Sequence, residues 1–178
     1  MKTNPPELHA VRQVVIASFL CAAGIVVPMI FHAVGLGRMF LPMHLPILIA
    51  GLVLPWREAV VTGLVTPWAS ALITGMPPMP TAVIMSIELA ALAGIASLLV
   101  AARLPLWAAS LLAIAARACV TWLATSLLAK WFGLPHQVAG WAAVAAGAPG
   151  MLIQLVFAPA FAGFIGRKSL AHAPSERT

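Results

Sequence analysis

Residues 40–78 read FLPMHLPILIAGLVLPWREAVVTGLVTPWASALITGMPP, and this is the most informative part of the chain. It consists of two apolar runs interrupted by prolines, and it carries His44, Thr74 and a Gly-Met-Pro-Pro turn. Prolines and glycines in a sequence this apolar free backbone groups that hydrocarbon cannot satisfy. Such breaks occur where other helices cover them or where they line a cavity. The stretch therefore predicts a membrane protein with a pocket.

The composition of the whole chain supports this prediction. Of its 178 residues, 62% are hydrophobic and only 8% are charged, whereas about a quarter of the residues in a soluble domain are charged. Lipid must therefore be the solvent for most of the surface. The net charge of +6 comes from residues scattered between apolar runs. This pattern argues against nucleic acid as a partner and favours orientation in a bilayer.

Six apolar segments predict an all-α integral membrane protein with six transmembrane helices. A span needs about 20 apolar residues; four segments reach that length, and the second and third are shorter and contain Pro46 and Pro67. We therefore expect the second and third helices to be short and interrupted by proline. Alternatively, this pair forms one hairpin that does not cross the bilayer. The segments are Val11–Val34, Met39–Leu54, Ala59–Thr74, Thr81–Ala102, Leu106–Trp131 and Val138–Ile165.

The basic residues predict the orientation of these segments. With the amino terminus in the cytoplasm, the outer side receives only Arg38 and Lys130, and most other lysines and arginines fall inside. The positive-inside rule thus favours a topology with both termini inside. We expect a cytoplasmic amino-terminal segment (residues 1–10), a six-helix membrane domain (11–166) and a disordered cytoplasmic tail (167–178).

Glu88 and Arg117 are the two ionisable residues well inside the predicted spans. A charge at bilayer depth costs at least about 2.5–3.5 kcal/mol on insertion scales, so such residues are usually paired, exposed to water or functional. One interpretation is a structural pair that joins spans four and five. Another is that either residue contacts a polar ligand, and the two are compatible if the pair borders a site.

Helical spacing places polar side chains on one face of each of three consecutive spans. Arg117, Thr121 and Thr125 lie at positions i, i+4 and i+8 of span five. Glu88 and Gln154 lie on comparable faces of spans four and six, together with small or weakly polar residues. Three such faces predict one shared cavity, although the glycines among them could equally serve close helix packing.

Histidines and tryptophans are further candidates for ligand binding. His44, with His32 and His136, falls toward the predicted outer side, but no carboxylate or thiol accompanies them and no two are spaced i, i+4. An interfacial role or contact with an organic ligand is therefore favoured over metal binding. Trp68 and Trp122 lie deeper than an aromatic belt, and each could stack on a flat ligand or pack in the core.

The sequence contains no catalytic constellation. There are four glutamates and no aspartate, and the nucleophile-elbow, zinc-protease and P-loop motifs are missing. Cys21 and Cys119 fall within apolar runs without a metal-ligand partner nearby, as expected of small buried hydrophobes. We therefore expect neither enzyme activity nor a cofactor nor a metal, and any ATP hydrolysis would come from another chain.

Four motifs follow one another along the chain: the block from Pro42 to Pro78, IEL at Ile87–Leu89, AAR at Ala115–Arg117 and PGMLIQLVFAP at Pro149–Pro159. Their order resembles the substrate-binding S components of energy-coupling factor (ECF) vitamin transporters, over roughly residues 11–166. The resemblance implies a multi-pass subunit in a prokaryotic plasma membrane that captures a vitamin or related micronutrient from outside. It also implies two kinds of partner, a membrane T component and two cytoplasmic ATPases.

The resemblance further implies where the functional parts lie. The pocket is expected toward the outer side among spans four to six, capped by loops at residues 34–41 and 75–80, and delivery would involve toppling of the subunit in the bilayer. Small residues on span one would admit the T component, and here they are Ala17, Ser18, Cys21 and Ala22, which match the family pattern only loosely. Together with the polar faces, the expected substrate-binding residues are Arg117, Glu88, Gln154, Thr121, His44, Trp122, Thr74 and Met76.

Two alternatives belong to other classes. Met43-His44 resembles the amino-terminal Met-His-Ile of cobalt and nickel uptake members, although here the motif is internal. The other alternative is a non-transport membrane scaffold whose buried charges only hold helices together. For the preferred class, an unpaired Arg117 would suit a carboxylate or phosphate, whereas a paired one would favour a neutral heterocycle.

Overall fold

The computed structural model describes residues 5–33, 35, 42–79, 81–132 and 141–171. All regular elements within these residues are helices, which confirms the all-α class for this part of the chain. In chain order they are α1 (Pro5–Ala33), α2 (His44–Val53), α3 (Trp56–Thr74), α4 (Thr81–Ala101), α5 (Leu106–Phe132), α6 (Trp141–Ala146) and α7 (Ala148–Ala171).

Four of the described helices are long and apolar enough to cross a membrane. These candidate spans are Leu8–Phe31, Thr81–Ala101, Leu106–Leu127 and Ala148–Ile165. Large apolar side chains also point outward from the bundle, such as Phe19, which is 71% exposed, and Leu72, which is 86% exposed. Water-soluble monomers rarely expose apolar surface on this scale, so these helices are compatible with a multi-pass membrane protein.

The short helix α2 forms the centre of the bundle. It has ten residues, of which eight are buried, and it contacts α1, α3, α4, α5 and α7. A helix that is apolar on every side is driven into the core in this way. Its length of about 15 Å is roughly half of a 30-Å hydrocarbon layer, so α2 by itself does not reach across one.

The prediction that proline interrupts the second and third helices is wrong. Pro46 lies in the first turn of α2, where the backbone N–H has no partner within the helix, so a proline there does no damage. Pro67 is buried inside α3, which nevertheless runs on unbroken for 19 residues. At about 28 Å, α3 is also longer than expected.

Two glycines allow the central helices to approach closely. A Cβ atom added at Gly63 of α3 would lie 2.6 Å from the carbonyl oxygen of Leu89 on α4, and one added at Gly51 of α2 would lie 2.6 Å from that of Ala93. Contacts this short leave no room for a methyl group. The backbone of α4 is thus in direct contact with both α2 and α3, as in membrane helix pairs joined through small residues.

The helix bounds agree with the predicted segments in some places and differ in others. Helices α4 and α5 match their segments to within one residue, and α1 starts earlier than predicted, at Pro5. The last segment is divided in two, because α7 begins beside Pro149, which fits the first turn of a helix but not its interior. Residues 36–41, 133–140 and 172–178 lie outside the described residues.

Candidate functional site

Three ionisable side chains from three helices meet inside the bundle. His44 on α2, Glu88 on α4 and Arg117 on α5 are 1%, 6% and 2% exposed. The Oε2 atom of Glu88 lies 3.4 Å from Nη1 of Arg117 and 3.6 Å from Nε2 of His44. We call these three residues the polar cluster.

The contacts within the polar cluster match the interpretation of a structural pair between spans four and five. Arg117 donates a hydrogen bond to Glu88 at 3.4 Å, which is longer than the roughly 2.8 Å of a strong charge-assisted bond. Buried charges are retained when they are paired, and removal of one partner from such a pair typically costs about 3–5 kcal/mol. Contact between the cluster and a ligand stays a prediction.

Gln154 on α7 is the most unusual of the buried polar residues. It is 1% exposed, and α7 packs against both α2 and α5. Its Oε1 and Nε2 atoms, and the Nε atom of Arg117, have no hydrogen-bond partner within the described part of the chain. Most buried polar groups in proteins are hydrogen-bonded, and an unpaired one costs about 1–3 kcal/mol. These groups can therefore bind a polar ligand or water.

Arg117 and Gln154 lie at a similar height in the bundle. Arg117 follows Leu106, the first residue of α5, by about three helical turns, or roughly 16 Å. Gln154 precedes Ile165 on α7 by about the same distance. Because Leu106 and Ile165 line one cavity at the end of the bundle, both polar residues are about equally far from that cavity along their helices.

The two threonines that follow Arg117 on α5 are buried, as their spacing predicted. Thr121 donates a hydrogen bond to the carbonyl oxygen of Arg117 at 3.0 Å, and Thr125 donates one to that of Thr121 at 2.6 Å. Such bonds to the preceding turn satisfy a hydroxyl group within its own helix. Their burial therefore needs no ligand, although each oxygen can still accept a hydrogen bond.

Trp122 is placed differently from the other candidates on α5. Its side chain is 40% exposed and packs against Trp141 of α6, with ring centroids 6.0 Å apart and the planes inclined by 34°. The neighbouring Thr121 is buried. Trp122 thus points toward the periphery of the bundle, beside α6.

Thr74 and Met76 lie at the carboxyl-terminal end of α3, where the chain turns. Gly75 ends the helix with a φ of +73°, a conformation that glycine adopts without strain. The hydroxyl of Ser70 donates a hydrogen bond to the carbonyl oxygen of Met76 at 2.7 Å, and that of Thr74 donates one to the carbonyl oxygen of Ser70 at 2.8 Å. The first half of the expected lid is therefore attached to α3, while Pro80 lies outside the described residues.

Apart from the polar cluster, the described residues form cavities, of which two concern the predicted sites. The first, about 560 Å³, lies where the start of α1, the end of α2, the start of α5 and the end of α7 meet, and we call it the end cavity. The second, about 530 Å³, is a groove between α1 and α3, which we call the α1 groove. None of the eight predicted substrate-binding residues lines either cavity.

The α1 groove brings together all four residues that were predicted to dock a partner. Ala17, Ser18, Cys21 and Ala22 form its α1 side, and Arg57 and Glu58 contribute from α3. Glu58 was not among the predicted residues, and its Oε2 atom is buried without a hydrogen-bond partner among the described residues. Three residues of the end cavity were not predicted either, although the i, i+3, i+4 spacing of His9, Arg12 and Gln13 places them on one helical face.

The described residues contain no group of three or more histidine, cysteine, aspartate or glutamate side chains that could hold a metal ion. The side chain of His32, and His136 as a whole, lie outside what the structure describes. In comparisons with known proteins, no family model, no curated protein and no solved structure matches this chain.

Proposed function

We propose that this chain is the substrate-binding S component of an ECF-type importer in a prokaryotic plasma membrane. It binds a small water-soluble vitamin or related micronutrient on the extracellular side. A membrane T component and two cytoplasmic ATPases then drive its delivery. One observation carries the proposal: the amide of Gln154, unpaired within the described residues, is buried in a bundle of apolar helices that also buries Arg117. Polar groups inside such bundles are rare in membrane proteins and mark solute pathways.

The proposal includes six membrane crossings with both termini inside. The start of α1, the end of α2, the start of α5 and the end of α7 border one cavity, which supports a common side for all four. The exposed Trp56 and Trp107 are at the adjoining starts of α3 and α5, in keeping with an aromatic belt.

The pairing of Arg117 favours an uncharged substrate. Because the guanidinium already faces Glu88 at 3.4 Å, a bound carboxylate or phosphate would have to compete with a buried counter-ion. A neutral heterocycle would not, and the Gln154 amide could offer it both a donor and an acceptor. The substrate class that we propose is therefore a neutral, hydrogen-bonding heterocycle.

A membrane scaffold is the second candidate, and one observation favours it. Glu88 connects α4 to both α5 and α2, and the threonines on α5 satisfy their own hydroxyl groups. A scaffold would need nothing more from these residues. It would, however, leave the buried amide of Gln154 without a use.

Mass spectrometry of the chain purified without partners distinguishes the two candidates. An S component should retain an organic solute through purification, and Gln154→Ala should release it. Leu152→Ala is the matched control, because Leu152 is 68% exposed on the same helix and its loss should leave the solute bound. A preparation without any organic solute, which also binds no member of a panel of water-soluble vitamins, would rule out the S component. Elemental analysis of the same sample tests for a metal cargo.

A further inference from the structure

The end cavity has no role in the proposed function. It exists because α1 and α7 both pack against α2 but have little direct contact with each other. A wedge therefore stays open between them, with Leu52 and Leu106 at its floor and Gly163 on the α7 side. Its volume of about 560 Å³ is within the range of about 300–1,000 Å³ that is usual for ligand sites.

The end cavity lies at the level where three candidate spans begin or end. Leu8–Phe31 starts beside His9, Leu106–Leu127 starts at Leu106, and Ala148–Ile165 ends at Ile165, and these residues of all three helices line the cavity. A cavity at this level of a membrane protein opens at the boundary between hydrocarbon and water. Headgroups of phospholipids occupy that boundary.

The polar side of the end cavity has the chemistry of a phosphate site. His9, Arg12 and Gln13 share one face of α1 and line the cavity together, and none of the described residues that line it is acidic. An arginine guanidinium matches phosphate oxygens with two parallel hydrogen bonds.

The remaining surface favours a lipid over a free anion. The α7 side is apolar, and Ile16, Leu52 and Leu106 add further apolar surface to the lining. Inorganic phosphate would gain nothing from these groups, whereas acyl chains would cover them. Basic pockets between membrane helices on the cytoplasmic side are known to hold acidic headgroups.

We propose that the end cavity is a binding site for an anionic phospholipid, with Arg12, His9 and Gln13 around the phosphate and the acyl chains against α1 and α7. The site rests on the membrane location within the proposed function but not on the nutrient. A lipid here would fill the wedge between α1 and α7 and so hold the two helices at a fixed separation.

Native mass spectrometry of the detergent-purified full chain, with added phosphatidylglycerol or phosphatidylcholine, tests the site. We expect one tightly retained phosphatidylglycerol, and at least about tenfold weaker retention in Arg12→Gln, since hydrogen bonds between charged groups are the strong ones. Arg103→Gln is the matched control, because Arg103 is an exposed arginine in the turn between α4 and α5, at the same end, and it does not line the cavity.

A second pair of variants tests the cavity itself. Among the described residues, a Cβ atom at Gly163 would meet only the Leu106 side chain, at 3.8 Å, so Gly163→Leu should fold and fill the wedge. Ala160→Leu adds the same bulk at an exposed position of α7. We expect the first to lose the lipid and the second to keep it.

Three results would overturn the proposal. One is equal loss of phosphatidylglycerol in Arg103→Gln and Arg12→Gln, which would indicate surface attraction alone. Another is full retention in a folded Gly163→Leu protein. The third is displacement of the lipid by equimolar inorganic phosphate, which would identify a free-anion site. A chain that retains phosphatidylglycerol as predicted but binds no nutrient would contradict the proposed function alone.

Discussion

Arg117 and Glu88 form an ion pair in the interior of the bundle, with Nη1 and Oε2 3.4 Å apart and both side chains buried. The same carboxylate oxygen is 3.6 Å from Nε2 of His44. One atom of Glu88 therefore connects α4 to α5 and to the central helix α2. The stability of the helical core and the charge at its centre consequently depend on the same residue.

The ion pair should be much more sensitive to the loss of one partner than to the loss of both. In Arg117→Met the carboxylate of Glu88 stays buried without its main counter-charge, and we expect a loss of about 3–5 kcal/mol in the free energy of unfolding. The double variant Glu88→Met/Arg117→Met should recover most of this loss. Thermal unfolding of the detergent-solubilised protein measures both. Additive effects of the two substitutions would show that the pair is not coupled.

Replacement of Gln154 by leucine should separate stability from binding. Leucine has a similar volume and no polar atoms, so Gln154→Leu removes two unpaired buried groups and should raise the free energy of unfolding by about 1–3 kcal/mol. If Gln154 contacts the nutrient, the same variant should lose the solute that co-purifies with the chain.

Unfolding and mass spectrometry on one preparation of Gln154→Leu give both results, with Leu152→Ala as the control. A gain in stability without any loss of solute would remove Gln154 from the site. A loss of stability would instead show that its amide is satisfied within the folded chain.

The burial of the polar residues on the long helices could be predicted because it depends on periodicity. Arg117, Thr121 and Thr125 repeat every four residues, so one face of a single helix carries them all. The contact between Glu88 and His44 could not be predicted in this way. It requires the short helix α2 to occupy the centre of the bundle, and that position follows from packing against five other helices rather than from any local pattern.

The two cavities could not be predicted from local sequence patterns either. The small residues of α1 and the spacing of His9, Arg12 and Gln13 are visible in the sequence, but a cavity also requires that a neighbouring helix stay away. The end cavity depends on the separation of α1 and α7, which are far apart along the chain. Likewise, Trp122 contacts Trp141 of α6, so the choice between ligand stacking and core packing for Trp122 could not be made from α5 alone.

Two glycines at different distances from their neighbours should respond differently to the same substitution. In Gly63→Ala the new methyl group would lie 2.6 Å from the Leu89 carbonyl oxygen, so α3 and α4 must separate, at an expected loss of about 1–3 kcal/mol. In Gly163→Ala the nearest atom is a flexible leucine methyl group at 3.8 Å. Helix propensity then favours alanine by up to about 1 kcal/mol.

Thermal unfolding of the two glycine variants side by side checks this contrast. Because both substitutions add one methyl group to a helix, the difference between them reports the packing of α3 against α4. Equal melting temperatures would mean that the two helices adjust their separation without loss.

A larger side chain in the α1 groove should prevent assembly without affecting the nutrient. Ala22 is exposed and lines the groove with Ala17, Ser18 and Cys21, and Ala22→Leu would fill the space that a helix of the T component needs to approach closely. Nutrient binding should be unchanged, because Ala22 is on α1 and the polar cluster joins α2, α4 and α5. Co-purification with the T component and the ATPases should fall strongly.

Ala10→Leu is the control for Ala22→Leu, because it adds the same side chain at an exposed position of α1 that does not line the groove. Both variants should bind the nutrient alike, and only Ala22→Leu should fail to assemble. If both assemble, the partner docks on another surface and the α1 groove serves only the contact between α1 and α3. If both fail, assembly depends on the whole lipid-facing side of α1 rather than on the small residues of the groove.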